Sequence, residues 1–416
     1  MTFESTNRFV RAFVLTVGSC VHMAASLHGA EVPSVGQPTE MLTQVKEENW
    51  TGFPRQFQPT NAPWGKISRV QIDLQWPEEG RVTDPEFWMQ RPWVFPMQAA
   101  AVSNVFRSAG LTADQLAAAT DPARWTLAER MVVVEPDEGL LSGLSPYSRS
   151  RIYRILALSD LNPYQRCPFS SPSNLVSGWL EESGLPEATV TKLTGLCYPR
   201  GTAICFSDPQ VFAELDAGSK SRLIRSLSRT PSQVLNLRVD STADIDGMAR
   251  YWGTGGRERK VRPLLDAAAR VHGGSTIPVT QLLPAFPRNL LYTYPEPGRS
   301  TKEPPPDCFW SALNFFNGLE PEHVSDLQSV MAALKRDFSP VSQPLKFGDI
   351  ILLKDPDGTP MHAAVFIADG IVFTKNGATD LQPWTLQDID EMVFTYLITS
   401  DPAKGLGIQV LRRKKT

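Results

Sequence analysis

Three consecutive prolines, Pro304–Pro306, stand directly before Asp307 and Cys308 and restrict how this part of the chain folds. Proline cannot continue a helix that arrives from upstream, and aspartate is a favoured N-cap residue. The next letters, CFWSALNFFNG, are typical of a short new helix. Cys308 is then predicted in its first turn, where free backbone N–H groups and the helix dipole favour a thiolate. The alternative is a buried structural cysteine at the start of an apolar helix.

Composition limits the class of protein and its partners. The chain has 416 residues, of which 42% are hydrophobic and 20% charged, and 35 are prolines. These values predict a globular protein of two or three domains with long irregular connections. The net charge is −3, and the basic run LRRKKT appears only at the C-terminus. We therefore expect no nucleic-acid partner.

The first thirty residues have the pattern of an export signal. Arg8 and Arg11 precede the apolar stretch AFVLTVGSCVHMAASL, which ends among small residues. This pattern predicts a signal peptide over residues 1–30 and a periplasmic or secreted protein. The letters VGSC also resemble a bacterial lipoprotein processing box. In that alternative Cys20 carries a lipid, and the only membrane attachment is through the signal or this anchor.

Cys167, Cys197 and Cys205 form a cluster in the sequence, far from Cys308. Their spacing contains no CxxC pair, so we expect no zinc site, and nothing else in the sequence indicates a cofactor. In an exported protein, one disulfide could join two of the three. The alternative is that all three are small buried apolar residues.

Three regions follow the predicted signal. Residues 31–95 are rich in proline and tryptophan and are predicted to form an extended arm with one or two short strands. Residues 96–300 show mainly helical patterns and are predicted to be a mostly helical domain of unknown role. Residues 301–416 contain two helix patterns and then the strand candidates GDIILLK, MHAAVFIA, GIVFTK, MVFTYLI and GIQVLR. Asp369-Gly370 indicates a hairpin. The predicted fold class is α+β.

His362 is the candidate base, because it opens an alternating apolar strand. Thr374 and Asn376 share strand parity after the hairpin, so either could reach the imidazole and fix its tautomer. We choose Asn376, because an amide both donates and accepts, and keep Thr374 as the alternative third residue. The competing interpretations are a solvent-facing histidine at a strand edge and a simple turn at Asn376-Gly377.

The segments DCFWSALNFF, LKFGDIILL and HAAVFIADGIVFTKNG together resemble the NlpC-like cysteine peptidases, the bacterial cell-wall branch of the papain-like superfamily. That family has an Asp-Cys pair opening a helix, a Gly-Asp strand and a strand that begins with histidine, in this order. His362 lies 54 residues after Cys308, and the resemblance covers roughly residues 300–400. Phe309 and Trp310 stand where the family usually has Ser-Gly.

The resemblance implies a helix that carries the cysteine packed on an antiparallel sheet. It also implies an exported thiol hydrolase that cleaves amide bonds of a peptide or amide substrate, with peptidoglycan as the substrate class. Cys308 would be the nucleophile, His362 the base and Asn376 the orienting group, with no cofactor. Two alternatives stay open: a non-catalytic binding or scaffolding protein on a decayed NlpC-like fold, and a thiol acyltransferase.

Overall fold

The computed structural model describes residues 42–46, 49–59, 62–77, 85–89, 91–128, 131–159, 161–172, 183–201, 203–296, 306–318, 326–377, 380–397 and 405–414. The strands, in chain order, are β1 (Thr43–Val45), β2 (Lys66–Leu74), β3 (Trp93–Phe95), β4 (Trp125–Ala128), β5 (Met131–Val134), β6 (Phe169–Pro172), β7 (Tyr198–Arg200), β8 (Ala203–Phe206), β9 (Thr230–Val239), β10 (Ser275–Pro278), β11 (Phe338–Pro340), β12 (Ile350–Lys354), β13 (Pro360–Ala368), β14 (Ile371–Lys375), β15 (Trp384–Asp388) and β16 (Leu406–Arg413).

The helices, in chain order, are α1 (Ala99–Ser108), α2 (Ala113–Ala119), α3 (Glu138–Gly143), α4 (Pro146–Leu156), α5 (Pro163–Arg166), α6 (Glu187–Leu196), α7 (Ala217–Leu227), α8 (Ile245–Trp252), α9 (Glu258–Ala269), α10 (Ala285–Leu290), α11 (Cys308–Leu313), α12 (Leu327–Asp337) and α13 (Ile389–Leu397). Short 3-10 turns lie at Arg55–Phe57, Pro85–Trp88, Pro122–Arg124, Pro209–Phe212 and Val279–Leu282. The fold is a mixture of helices and sheets, in agreement with the predicted α+β class.

The chain forms two compact units. One contains Met1–Leu74 and Pro231–Thr416, and the other contains Gln75–Thr230. This division differs from the predicted regions 31–95, 96–300 and 301–416. The physical reason is that buried side chains of β9, α8 and α9 belong to the same apolar core as the strands after residue 338. The predicted helical region also contains short strands, from β4 to β10.

The larger unit is built on an antiparallel sheet with the strand order β1-β16-β12-β13-β14-β15, and β11 also pairs with β16. The β13–β14 hairpin turns at Asp369 and Gly370, whose φ angles of 51° and 72° are those of a type I′ turn. Glycine adopts this conformation at no steric cost, and aspartate tolerates it. The Asp-Gly hairpin predicted from the sequence is therefore present.

Helix α11 begins where the sequence predicts it. The side chain of Asp307 accepts a hydrogen bond from the backbone N–H of Trp310 at 2.7 Å, as an N-cap does. The helix packs on β13 and β14. Phe315, just after its end, places its ring 5.8 Å from that of Phe373 on β14. The helix start, and with it Cys308, is thereby held against the sheet.

The smaller unit has its own apolar core, formed by residues of β3, β5, α1, α4 and the strands β7 and β8. Inside it, the fully buried Arg149 and Asp208 form an ion pair at 2.6 Å. Tyr153 donates a hydrogen bond to the same carboxylate at 2.6 Å. These polar contacts tie α4 to the segment after β8 without solvent.

The predicted signal over residues 1–30, and Cys20 within it, lie outside the described residues. Within the described part, none of the helices is both long enough and apolar enough for a membrane span. The described cysteines form no disulfide, so none joins Cys167, Cys197 and Cys205. Burial raises the pKa of Cys197 and of Cys205 to about 12, in agreement with the alternative of buried apolar residues for these two.

Candidate thiol–imidazole site

Cys308 lies at the first position of α11 with 6% of its surface exposed. Its sulfur interacts with the backbone N–H of Ala363 on β13. The ladder between β13 and β14 ends at the pair Val365 and Phe373. Since N–H groups two residues apart point to the same side of a strand, that of Ala363 points toward β14 but has no strand partner there. The sulfur of Cys308 occupies this place in the ladder.

The thiol is neutral at rest. Burial first, and the neighbouring Asp307 carboxyl second, raise the pKa of Cys308 above its ordinary value. The Ala363 N–H and the Lys375 ammonium act in the opposite direction but do not offset the burial. The prediction of a thiolate from the helix dipole is therefore wrong for the resting site. Burial removes water from the charged form, and this disfavours the thiolate more than the dipole of a six-residue helix stabilises it.

His362 is fully buried on β13. Its Nε2 atom lies 2.9 Å from the hydroxyl oxygen of Thr374 on β14, at hydrogen-bond distance. The other ring nitrogen, Nδ1, is buried and has no hydrogen-bond partner among the described residues. Burial lowers the pKa of the imidazole to about 3, so the ring is neutral over the physiological range.

The side chain that lies at Nε2 of His362 is that of Thr374 and not that of Asn376. The Asn376 Nδ2 group donates to Gln387 Oε1 at 2.8 Å and makes no hydrogen bond to His362. The two candidates share strand parity, but Asn376 lies beyond the end of β14, where Gly377 with φ 104° turns the chain away. The structure therefore places the alternative third residue, Thr374, at the imidazole, and it does not bring Asn376 there.

The structure places Cys308 beside the backbone of His362 without a hydrogen bond between their side chains. The sulfur meets the N–H of the residue that directly follows His362. Nε2 of the imidazole lies at hydrogen-bond distance from the Thr374 hydroxyl, and Nδ1 has no hydrogen-bond partner among the described residues. Chemically, this is a neutral thiol near a neutral imidazole with one nitrogen available for a proton.

Tyr396 is a residue of the site that the sequence pattern did not indicate. Its ring stacks on the imidazole of His362 with a centroid distance of 4.1 Å and an interplanar angle of 17°. Residues 392–397 of the segment MVFTYLI, predicted to be a strand, lie in helix α13. Its apolar residues Met392, Val393 and Tyr396 recur at helical spacing, and this period was the signal that could have placed the tyrosine.

The Gly-Asp motif supports the sheet below the site. Asp349 is 2% exposed, and its carboxylate accepts hydrogen bonds from Arg412 on β16 at 2.6 and 2.8 Å. It also accepts from the backbone N–H of Lys346 at 2.8 Å, which closes the turn before β12. This residue therefore holds the strands β12 and β16 in place and does not touch the thiol or the imidazole.

The described residues contain no group of acidic, histidine and cysteine side chains that could hold a metal ion. In comparisons with known proteins, no family model matches the chain, and no curated protein or solved structure matches it either. The function is therefore inferred from the geometry of this site and from the sequence motifs that form it.

Proposed function

We propose that the chain is a thiol hydrolase of amide bonds, with an NlpC-like, papain-like fold around α11 and the antiparallel sheet. Cys308 is the nucleophile, His362 the base, and Thr374 the group that orients the base. One arrangement carries the proposal. The Thr374 hydroxyl is the partner of Nε2 of His362, so the buried Nδ1 has no hydrogen-bond partner among the described residues. The sulfur of Cys308 contacts the backbone N–H of the next residue, Ala363.

The neutral site fits a mechanism in which the proton moves during attack. The base role requires the tautomer in which Nε2–H donates to the Thr374 oxygen, because Nδ1 then accepts a proton. As the sulfur bonds to the amide carbon, its proton passes to Nδ1 and the carbonyl electron pair moves to oxygen. The backbone N–H of Cys308, at the helix start, is placed to stabilise that oxyanion.

The tetrahedral species then breaks its C–N bond, and the leaving amine takes the proton from Nδ1. Water next attacks the thioester carbon and gives a proton to Nδ1. The C–S bond breaks, and the sulfur recovers that proton. If an amine attacks in place of water, the same residues perform an acyl transfer. Export of the protein, as residues 1–30 predict, would give it access to peptidoglycan.

A second candidate function is a non-catalytic binding or scaffolding protein. The observation that favours it is the enclosure of the pair: Cys308 and His362 are buried, both are neutral, and Tyr396 covers the imidazole. A buried cysteine in this state is inert unless the cover moves. The two functions differ in whether amide cleavage depends on the thiol.

Incubation of the full chain with purified peptidoglycan, followed by mass spectrometry of the released peptides, tests the proposal. Cleavage should be lost in Cys308→Ala and nearly lost in His362→Ala, since the two act as one unit. Cys167→Ala, which removes an exposed cysteine of the other unit that forms no disulfide, is the matched control and should cleave normally. Cleavage that persists in Cys308→Ala would exclude the thiol mechanism, and its absence from the parent chain would favour the scaffold.

A further inference from the structure

Lys375, the last residue of β14, is a fully buried lysine. Its Nζ atom donates a hydrogen bond to the carbonyl oxygen of Gly377 at 2.8 Å and lies 5.8 Å from the ring centroid of Trp384. A buried ammonium is costly unless nearby groups compensate its charge. An apolar side chain of similar length would fill the same place without that cost. What this position adds to the core is therefore a positive charge.

The side chain of Lys375 points toward helix α11. Lys375 pairs with Trp384 across β14 and β15, and paired residues of antiparallel strands point to the same face of the sheet. The indole Nε1 of Trp384 donates to the hydroxyl of Ser311 in α11 at 2.8 Å. That hydroxyl in turn donates to the backbone carbonyl of Asp307 at 2.6 Å. The lysine therefore lies on the face of the sheet that the start of α11 covers.

The register of the sheet also places Lys375 next to the Cys308 sulfur. The ladder between β13 and β14 ends at the pair Val365 and Phe373. Two further steps along both strands bring Ala363 opposite Lys375. The sulfur of Cys308 contacts the N–H of Ala363, which points toward β14. The sulfur therefore lies in the gap between these two strand positions.

The charged groups around the thiol act on it in opposite directions. The cap of α11 needs an acceptor, and Asp307 supplies it with a carboxyl group directly before the nucleophile. Burial first and Asp307 second raise the pKa of the Cys308 thiol, whereas the Lys375 ammonium lowers it. Burial also raises the pKa of the Asp307 carboxyl, and Lys375 acts against this as well. His362 on β13 is neutral, so among the described residues Lys375 is the side chain whose positive charge favours a thiolate at Cys308.

We propose that Lys375 assists the nucleophile: its ammonium stabilises the negative charge on the Cys308 sulfur while the thiol proton moves to His362. The sulfur loses this proton and attacks the amide carbon, whereas Lys375 keeps its own protons throughout. A nearby opposite charge favours the ionised form of an acid, so Lys375 offsets the carboxylate that caps the helix. The inference rests on the proposed hydrolase in giving this charge a role in cleavage, but the effect on the thiol can be measured without a substrate.

Alkylation of Cys308 by iodoacetamide in the folded full chain measures this effect. At about pH 8, timed reaction and peptide mapping give its rate relative to that of the exposed Cys167. Lys375→Met removes the charge and keeps an unbranched side chain, so it should slow the reaction of Cys308 by about tenfold, as for a pKa shift of about one unit. Asp307→Asn keeps a capping oxygen and removes the opposing charge, so it should accelerate the reaction by about tenfold.

Two further variants separate the charge of Lys375 from its packing. Lys375→Arg keeps a positive charge and should restore most of the parent rate. Lys354→Met is the matched control, because that half-buried lysine lies on β12, which β13 separates from β14. Its Cys308 should react as in the parent chain. Loss of packing alone would expose the thiol and accelerate alkylation in Lys375→Met, which is the direction opposite to that expected from the charge.

Faster or unchanged alkylation in Lys375→Met would overturn the inference, as would a slower reaction in Asp307→Asn. In the peptidoglycan assay, Lys375→Met should cleave about tenfold more slowly than the parent chain. The expected alkylation rates without any cleavage by the parent chain would contradict the hydrolase and support the effect of Lys375 on the thiol. Thiol-dependent cleavage that is equally fast in Lys375→Met would contradict the inference alone.

Discussion

The two candidates for orienting His362, Thr374 and Asn376, lie only two positions apart in the sequence. Thr374 and Asn376 have the same strand parity, and both can form a hydrogen bond to an imidazole. Only Thr374 lies within β14, next to the ring, whereas the Asn376 amide is held by Gln387. The orientation of the imidazole therefore follows from this one contact, and the neutral state of the thiol and the imidazole follows from their burial.

Thr374→Val tests the contact directly. The substitution removes the hydroxyl partner of Nε2 in the buried ring, which should cost about 1–3 kcal/mol of stability. It should also lower any thiol-dependent cleavage by about tenfold or more, because the tautomer is no longer fixed. The ¹⁵N chemical shifts of His362 report the tautomer. They should change in Thr374→Val and stay the same in Asn376→Ala, and the reverse pattern would contradict the assignment.

Burial of His362 makes the free energy of unfolding depend on pH. The folded pKa is about 3 and the unfolded one about 6.5, so between these values the unfolded chain binds one more proton. The free energy of unfolding should therefore fall as the pH is lowered from about 6.5 and level off near 3. The slope from this one group is about 1.4 kcal/mol per pH unit.

Urea unfolding of the parent chain and of His362→Gln, measured between pH 4 and 7.5, isolates this term. Buried carboxyl groups with raised pKa values, such as Asp307 and Asp349, contribute equally to both proteins. The difference between the two curves should shrink as the pH falls. Parallel curves would show that His362 is accessible to protons in the folded state.

The raised pKa of Cys308 makes a separate prediction. At pH 8 iodoacetamide should modify Cys308 much more slowly in the folded protein than in urea, since burial and Asp307 disfavour the reactive thiolate. The rate should continue to rise beyond the ordinary thiol range near pH 8.5. Peptide mapping after timed alkylation measures it, with the exposed Cys167 as internal control. A midpoint below 8 would contradict this description of the resting site.

The positions at which helix α11 begins and the β13–β14 ladder ends bring Cys308 to the sheet. Asp307 starts α11, and the ladder between β13 and β14 ends early enough for the Cys308 sulfur to reach the Ala363 N–H. The turn before β12 is held by the Asp349 carboxylate, which also binds Arg412 of β16. The position of the thiol thus depends on a helix cap, and the position of the sheet on a largely buried ion pair.

Arg412→Ala tests the second of these supports. It leaves the Asp349 carboxylate buried without its guanidinium, which should cost about 3–5 kcal/mol. Arg336→Ala is the control, because that arginine pairs with Asp337 on the surface and should cost about 1 kcal/mol or less. Thermal and urea unfolding compare the two, and equal losses would refute a structural role for the Gly-Asp turn.

The described residues form two apolar cores, one in each compact unit. Each core has its own buried ion pair, Arg412 with Asp349 in the larger unit and Arg149 with Asp208 in the smaller one. Domains with separate cores often unfold in separate steps, so a local defect should remain local.

Hydrogen exchange measured by mass spectrometry tests this independence. Arg149→Ala should leave the Asp208 carboxylate buried and unpaired, at a cost of about 3–5 kcal/mol. Loss of protection should be confined to residues 75–230. Arg412→Ala should instead affect the larger unit, which contains Met1–Leu74 and Pro231–Thr416. Loss of protection throughout the chain in either variant would show a single cooperative unit.

Features that depend on neighbouring residues could be predicted from the sequence alone. The proline run and Asp307 fixed the start of α11, and the Asp-Gly pair fixed the β13–β14 hairpin, because caps and turns are governed by local backbone chemistry. Alternating apolar residues also placed His362 on a strand. The order of the motifs, which resembles that of the NlpC-like peptidases, indicated Cys308 and His362 as the candidate residues.

The other features could not be predicted in this way, because they arise from contacts between segments that are distant in the sequence. The choice of Thr374 over Asn376 depends on where β14 ends. The neutral state of Cys308 depends on removal of water by the whole core, and Tyr396 reaches His362 only because the segment predicted as a strand folds as α13. Residues 231–296 belong with the C-terminal sheet because their apolar faces are buried in its core. Burial and long-range packing depend on the assembled core, which no local sequence pattern encodes.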